Sequence, residues 1–201
     1  MLRVGLTGGL ASGKTFVGHA LRDLGCYLIE ADELGHQVLL PGAEAYAAVI
    51  HEFGDDILDD DRFIDRHKLG ERVFGKPELL TKLSSLVHPP VAQRQQRAIA
   101  EIAKASPGAI VVVEAAILVE TGSYRRFDRL IVAGCSQELQ IERAMKRDSA
   151  TREQVMARLE RQLPLQEKLR LADYVIDTSG SKEETLKQTR EVYNSLRSLQ
   201  A

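Results

Sequence analysis

The chain has 201 residues, 44% of them apolar and 28% charged. That composition excludes a disordered or fibrous chain and is sufficient for one sizeable core, or for a core that carries an insertion. A formal net charge of −2 gives no overall attraction to nucleic acid or to acidic membranes, so phosphate binding must rest on local basic residues.

The two cysteines, Cys26 and Cys135, lack CxxC spacing and a neighbouring His cluster. They argue against a zinc site or disulfide framework and for buried thiols in a reducing compartment. The apolar run at the N-terminus is too short for a signal peptide, and no stretch approaches a membrane span. The expected location is the cytoplasm.

In chain order, Val4 to Thr7 is a short apolar run that ends in glycines, which predicts a buried strand and a tight turn. Phe16, Val17, Ala20, Leu21 and Leu24 then recur at helical spacing, with Gly25 placed as a C-terminal cap. Tyr27 to Ile29 predicts a second strand, so the chain opens as a βαβ unit. Residues from about 33 to 105 hold helical patterns and little strand. Breaks are expected at Pro41-Gly42, Phe53-Gly54, Gly75-Lys76-Pro77, His88-Pro89-Pro90 and Pro107-Gly108.

Ala109 to Val113 is the strongest buried-strand signal, and Asp128 to Ala133 is another. A helix is expected from Ser136 to Lys146. A second starts at Thr151, where Gln154 completes a capping-box pattern, and Pro164 limits it. Tyr174 to Ile176 reads as a last strand, followed by a helix over 181–199. Strands alternating with helices predict an α/β fold, a five-stranded parallel sheet covered on both faces.

Gly8-Gly9-Leu10-Ala11-Ser12-Gly13-Lys14-Thr15 fits G-x-x-x-x-G-K-[ST] at every fixed position, after a strand and before a helix. Gly8, Gly9 and Gly13 let the loop curl so that backbone N–H groups, with those of Ala11 and Ser12, turn toward phosphate. The helix that follows, through Phe16, adds its positive end. Lys14 reaches the β- and γ-phosphates, and the Thr15 hydroxyl is a ligand for Mg²⁺. The motif predicts ATP or another nucleoside triphosphate, and by itself does not separate kinase, ATPase and GTPase.

Asp32 lies just past the second strand, where an α/β sheet places its ligands. Two readings stand: a base for an acceptor hydroxyl or aid to Mg²⁺, and a helix N-cap. Glu114 ends the strongest strand, either as a Walker-B-like carboxylate supporting Mg²⁺ or as a strand-end acid in solvent. Arg143 and Arg147 share a helix face, where like charges repel unless an anion lies between them. Arg158 and Arg161 follow on the next helix. They read as a lid closing over ATP, or as solvated faces paired with Glu142, Asp148 and Glu160. Asp32-Glu33-Leu34-Gly35 spells DxxG, yet no N-K-x-D motif accompanies it, which disfavours a GTPase.

The ordered set of landmarks resembles the bacterial dephospho-CoA kinase family over nearly the whole chain. The P-loop from Gly5 to Thr15, Glu30-Ala31-Asp32 with His36, and Pro41-Gly42 are similar to its segments. So are Phe53-Gly54, Ile64-Asp65-Arg66, Val73-Phe74, His88-Pro89, Gln140, Arg143, Arg147-Asp148, Arg158 with Gln162, and Ala172 to Asp177. Departures are Ala11 for a usual Gly, Thr15-Phe16 for Ser-Thr, Glu114 to Glu120 for a D-x-P-L-L-F-E stretch, and Thr178 for Asn.

The resemblance implies a P-loop nucleoside triphosphate hydrolase-like core over 1–39 and 106–201, with a lid at about 138–168. It implies a helical acceptor domain over 40–105. ATP with Mg²⁺ would phosphorylate the ribose 3′-hydroxyl of dephospho-CoA, with no nucleic acid or membrane partner; the sequence leaves oligomeric state open. Asp32 moves toward general base, and Arg143 and Arg147 toward phosphate contacts. Arg66, His88, Glu114 and Arg158 become acceptor-side candidates. The rivals are another P-loop metabolite kinase, and a nucleotide-dependent binding switch.

Overall fold

A computed structural model of the chain describes residues 1–200. The chain divides into two compact units, residues 1–30 with the segment from 101 onward, and residues 31–100.

The first unit is built on β1 (Leu2–Gly8), β2 (Tyr27–Glu30), β3 (Ile110–Glu114), β4 (Arg129–Gly134) and β5 (Tyr174–Asp177). They form one five-stranded sheet in the order β2-β3-β1-β4-β5, with every pairing parallel. Parallel neighbours need crossovers. α1 (Lys14–Asp23), α6 (Gln137–Asp148), α7 (Arg152–Leu159), α8 (Leu165–Leu169) and α9 (Lys182–Ser198) belong to this unit. One face of the sheet contributes Val4, Leu6, Val112, Ile131 and Ile176 to a core with Val17 and Leu21 of α1 and Val192 and Leu196 of α9. All five residues of β3 are buried, which is why it reads as an unbroken apolar run rather than an alternation.

The expected capping box at Thr151 and Gln154 is formed, and Ser181 with Glu184 makes a second at the start of α9.

The second unit holds α2 (Ala31–Gln37), α3 (Tyr46–Phe53), α4 (Arg66–Val73) and most of α5 (Pro77–Ala105). Its own core comprises Val38, Val49, Phe53, Ile57, Ile64, Leu69 and Val73. This unit begins at Ala31, so it includes α2 and the buried Val38 that follows it, although residues 31–39 were expected with the core. Arg94 of α5 holds the loop before α3 through a forked contact with Glu44, at 3.0 Å from Nε and 2.7 Å from Nη2.

One expected break is absent. α5 runs without interruption through Pro89 and Pro90. Each proline removes one helical N–H donor. The helix persists because Leu79, Leu83, Leu86, Val87 and Val91 share a stripe packed on the second unit's core. Tertiary packing outweighs the local penalty.

Candidate active site

β1 ends at Gly8 and α1 begins at Lys14, so the loop between them lies at the carboxyl edge of the sheet beside β3 and β4. The first turn of a helix has N–H groups with no carbonyl of its own to bond, the property an anion uses. Gly13 precedes α1 with φ +82°, and a Cβ there would meet Thr178 side-chain atoms at 3.2 to 3.4 Å. Gly13→Ala is therefore expected to cost at least about 1 kcal/mol from the left-handed backbone alone. An unchanged urea midpoint together with parent-like ATP binding would contradict this. Ala11 also has positive φ, +53°, a backbone region where glycine would be less strained.

The Thr15 hydroxyl donates to Glu114 Oε1 at 2.7 Å. Lys14 Nζ lies 3.7 Å from the same oxygen, with side chains 15% and 5% exposed. Glu114 is the last residue of β3 and is held opposite Leu6 of β1 and Glu30 of β2. Gly18 in α1 makes room for it: a Cβ there would stand 3.0 Å from Glu114 Oε2. The reading of Glu114 as an acid in solvent does not hold, because β3 is an interior strand, between β2 and β1, and Glu114 is buried at its end.

The Thr15–Glu114 geometry matters chemically. A hydroxyl has one proton and two lone pairs. With the proton directed to Glu114, the lone pairs of Thr15 remain available to a hard cation such as Mg²⁺.

Arg143 and Arg147, four residues apart on α6, take separate partners within the protein. The part-buried Arg143 donates from Nη2 to the Thr178 carbonyl at 2.7 Å, and its Nη1 lies 3.4 Å from Thr178 Oγ1 and 3.6 Å from Cys135 Sγ. Thr178 Oγ1 in turn donates to the Ser12 carbonyl at 2.7 Å. Arg143 is thus linked to the glycine loop through the end of β5. Arg147 instead donates to the adjacent Asp148 at 2.7 Å, and Arg158 reaches the same carboxylate at 2.6 Å.

This is the paired-face alternative for those two arginines. Hydrogen bonds first from Arg147 and then from Arg158 pull the Asp148 carboxyl from the ordinary 3.8 down to about 2. A depressed carboxyl pKa means the contribution is complete above about pH 4 and is lost as pH falls through about 2. Carbon-detected NMR of Asp148 is expected to show that midpoint, rising toward the ordinary value in an Arg147→Gln/Arg158→Gln variant. An unmoved midpoint would refute the pairing.

The remaining expected site residues fall in both units. Phe16 is in the first turn of α1, its ring 5.9 Å from Lys182 Nζ. Asp32, Arg66 and His88 belong to the second unit and are exposed. Asp32 is the second residue of α2, which begins at Ala31. It stands in the first helical turn, not at the N-cap. Arg66 opens α4 after its cap Asp65, and His88 lies within α5.

Two contacts on the glycine loop were not anticipated. Gln162 Oε1 accepts from Leu10 N at 2.9 Å. Lys168 Nζ, wholly buried, lies 3.4 Å from the Gly8 carbonyl. Leu10 also packs with Ile141, Ala144 and Val155, which ties α6 and α7 to the loop. Lys168 sits in a five-residue helix, too short for periodicity to reveal a buried face.

The sheet order and the glycine loop at its carboxyl edge define the class: a P-loop nucleotide-binding α/β protein. The chain matches the family described as Dephospho-CoA kinase over residues 2–184. It is 40% identical over 196 residues to the Dephospho-CoA kinase of Aquifex aeolicus, covering 98% of each chain. Among solved structures it is similar to TT1252 from Thermus thermophilus, with TM-score 0.82, 28% identity and 97% of each chain covered. It is also similar to the dephospho-CoA kinase from Campylobacter jejuni, with TM-score 0.72, 27% identity, and 98% of this chain and 97% of that one covered. This chain belongs to the dephospho-CoA kinase family.

Among the described residues, no helix is long and apolar enough to cross a membrane.

Proposed function

We propose that the chain transfers the γ-phosphoryl group of ATP to the ribose 3′-hydroxyl of dephospho-CoA. The observation that carries the site assignment is the Thr15–Glu114 hydrogen bond with Lys14 beside it. It joins the nucleotide loop of β1 to the acid of β3 in a chain of this family.

In the proposed reaction, the loop from Gly8 to Phe16 and the Lys14 ammonium hold the triphosphate. Thr15, oriented by Glu114, would hold Mg²⁺, which would supply neutralisation of phosphate charge. Asp32 orients the acceptor hydroxyl and takes its proton. The new bond forms between that oxygen and phosphorus while the bond to the bridging oxygen breaks, and ADP leaves. Little covalent work falls to the protein, so positioning and electrostatics supply most of the rate.

The helical unit, with Arg66 and His88, receives the acceptor. Arg143 serves the nucleotide through its link to Thr178 and the loop. Arg147 and Arg158 serve phosphate after exchanging Asp148 for it, as a mobile lid would require. The cytoplasm suits a chain with free, buried Cys26 and Cys135. Burial pushes the Cys26 thiol up to about 12, which keeps it protonated and inert.

The test is ADP formation from ATP and Mg²⁺ with and without dephospho-CoA, with mass spectrometry of the product. The expected product is heavier by one phosphoryl group at the 3′ position. ADP formed equally without acceptor would favour an ATPase or a switch instead.

A further inference from the structure

The side chain of Lys168 is completely buried, and the reaction outlined above does not use it. A lysine ammonium has three N–H donors, and each needs an acceptor when water is excluded. Three acceptors surround this one. Glu120 Oε1 is 2.7 Å away, the Ala116 carbonyl 2.9 Å and the Gly8 carbonyl 3.4 Å.

These acceptors come from two segments that the sheet places side by side. Gly8 is the last residue of β1 and opens the phosphate loop. Ala116 and Glu120 lie on the stretch that follows Glu114, the partner of Thr15. Ala116 is held again by the Thr7 hydroxyl, at 3.2 Å from its carbonyl oxygen. Glu120 Oε1 also accepts from Leu163 N at 3.1 Å. One ammonium therefore spans the start of the phosphate loop and the chain just beyond its acid.

We infer that Lys168 is a positioning residue for ATP: it sets the spacing between the phosphate loop and the segment after Glu114. The peptide unit is planar and rigid, so a donor on the Gly8 carbonyl restrains the plane that also carries the Gly9 N–H. The Ala116 contact restrains the backbone two residues past Glu114, whose carboxylate orients Thr15. Loss of the ammonium frees both edges of the phosphate site without removing any group assigned to touch ATP. The inference rests on the reading of Gly8–Thr15 as the ATP site.

A plain ion pair would have a different signature. Removing one member of a buried pair strands the other charge, and replacing both with neutral groups restores stability. The decisive variant is thus Lys168→Met/Glu120→Gln. Met matches the lysine stem, and the amide oxygen of Gln keeps an acceptor for Leu163 N. Glu120→Gln alone leaves Lys168 bonded to both carbonyls.

ATP affinity would be measured by calorimetry, and the KM values for ATP and dephospho-CoA by steady-state assay, alongside the melting temperature. The double variant is expected to melt near the parent yet bind ATP about tenfold or more weaker, with a matching rise in KM for ATP, since small misplacements in such sites carry penalties of this size. Its KM for dephospho-CoA is expected to stay within about twofold of the parent, as uniform loss of ATP binding requires. Glu120→Gln alone is expected to bind ATP like the parent.

Parent-like ATP binding in the double variant would overturn the assignment. So would an equal loss in Glu120→Gln alone, which would transfer the effect to the carboxylate. A parent chain that did not bind ATP would remove the loop reading itself, and the assignment with it.

Discussion

Asp32→Asn is expected to lower kcat by about 10²–10⁴ while leaving ATP affinity in place. Asn matches the carboxylate in shape and can still accept a hydrogen bond from the acceptor hydroxyl. It cannot take the proton. Asp32 follows the last residue of β2 by two positions and stands in the first turn of α2. There a carboxylate also gains about 0.3–1 kcal/mol from the helix dipole. That gain is too small to produce the expected effect, because each factor of ten in rate corresponds to about 1.4 kcal/mol of barrier. A stability loss and a catalytic loss can therefore be told apart. Steady-state rates with dephospho-CoA, set beside calorimetric ATP binding and a melting curve, make the separation. Near-normal turnover in Asp32→Asn would end its assignment as base.

The second large effect is expected at Lys14. Lys14→Ala should cost about 10²–10³ in kcat, as loss of one preorganised charge donor does in other active sites. It should also weaken ATP binding, since this ammonium is assigned to the phosphates in the ground state as well. The structure adds a second consequence. Lys14 Nζ is 3.7 Å from Glu114 Oε1, and Glu114 is 4% exposed. Removing the ammonium leaves the buried carboxylate with less compensation, so its burial becomes more costly. Adding Glu114→Gln should recover part of the stability lost in Lys14→Ala, and little of the activity. ATP binding unchanged by Lys14→Ala would contradict the phosphate-loop assignment outright.

The arginines show where sequence patterns lose resolution. A spacing of four puts Arg143 and Arg147 on one helical face, and no more than that. In the fold, Arg143 turns to the end of β5 and reaches Thr178. Arg147 finds the carboxylate next to it in sequence, and Arg158 joins it there from α7. A side chain with five donors takes the nearest good acceptor, and the identity of that acceptor depends on distant chain. Thr178 illustrates the same point. Its hydroxyl serves Ser12 of the phosphate loop while its backbone serves Arg143.

The strands, the glycine loop and its helix, and the capping boxes at Thr151 and Ser181 are determined by the sequence itself. They depend on residues a few positions apart, where steric and hydrogen-bonding preferences act directly. The placement of Lys14 and Thr15 at the start of the helix after the glycine loop was legible for the same reason. The course of α5 was not, because packing of its apolar stripe overrides Pro89 and Pro90. Nor were the contacts that complete the site. Thr15 meets Glu114 across 99 residues, Lys168 meets Gly8 across 160, and Thr178 meets Ser12 across 166. Only the parallel order β2-β3-β1-β4-β5 brings those carboxyl ends together. Which side chain then satisfies each buried polar group is decided by the three-dimensional supply of donors and acceptors once water has been excluded.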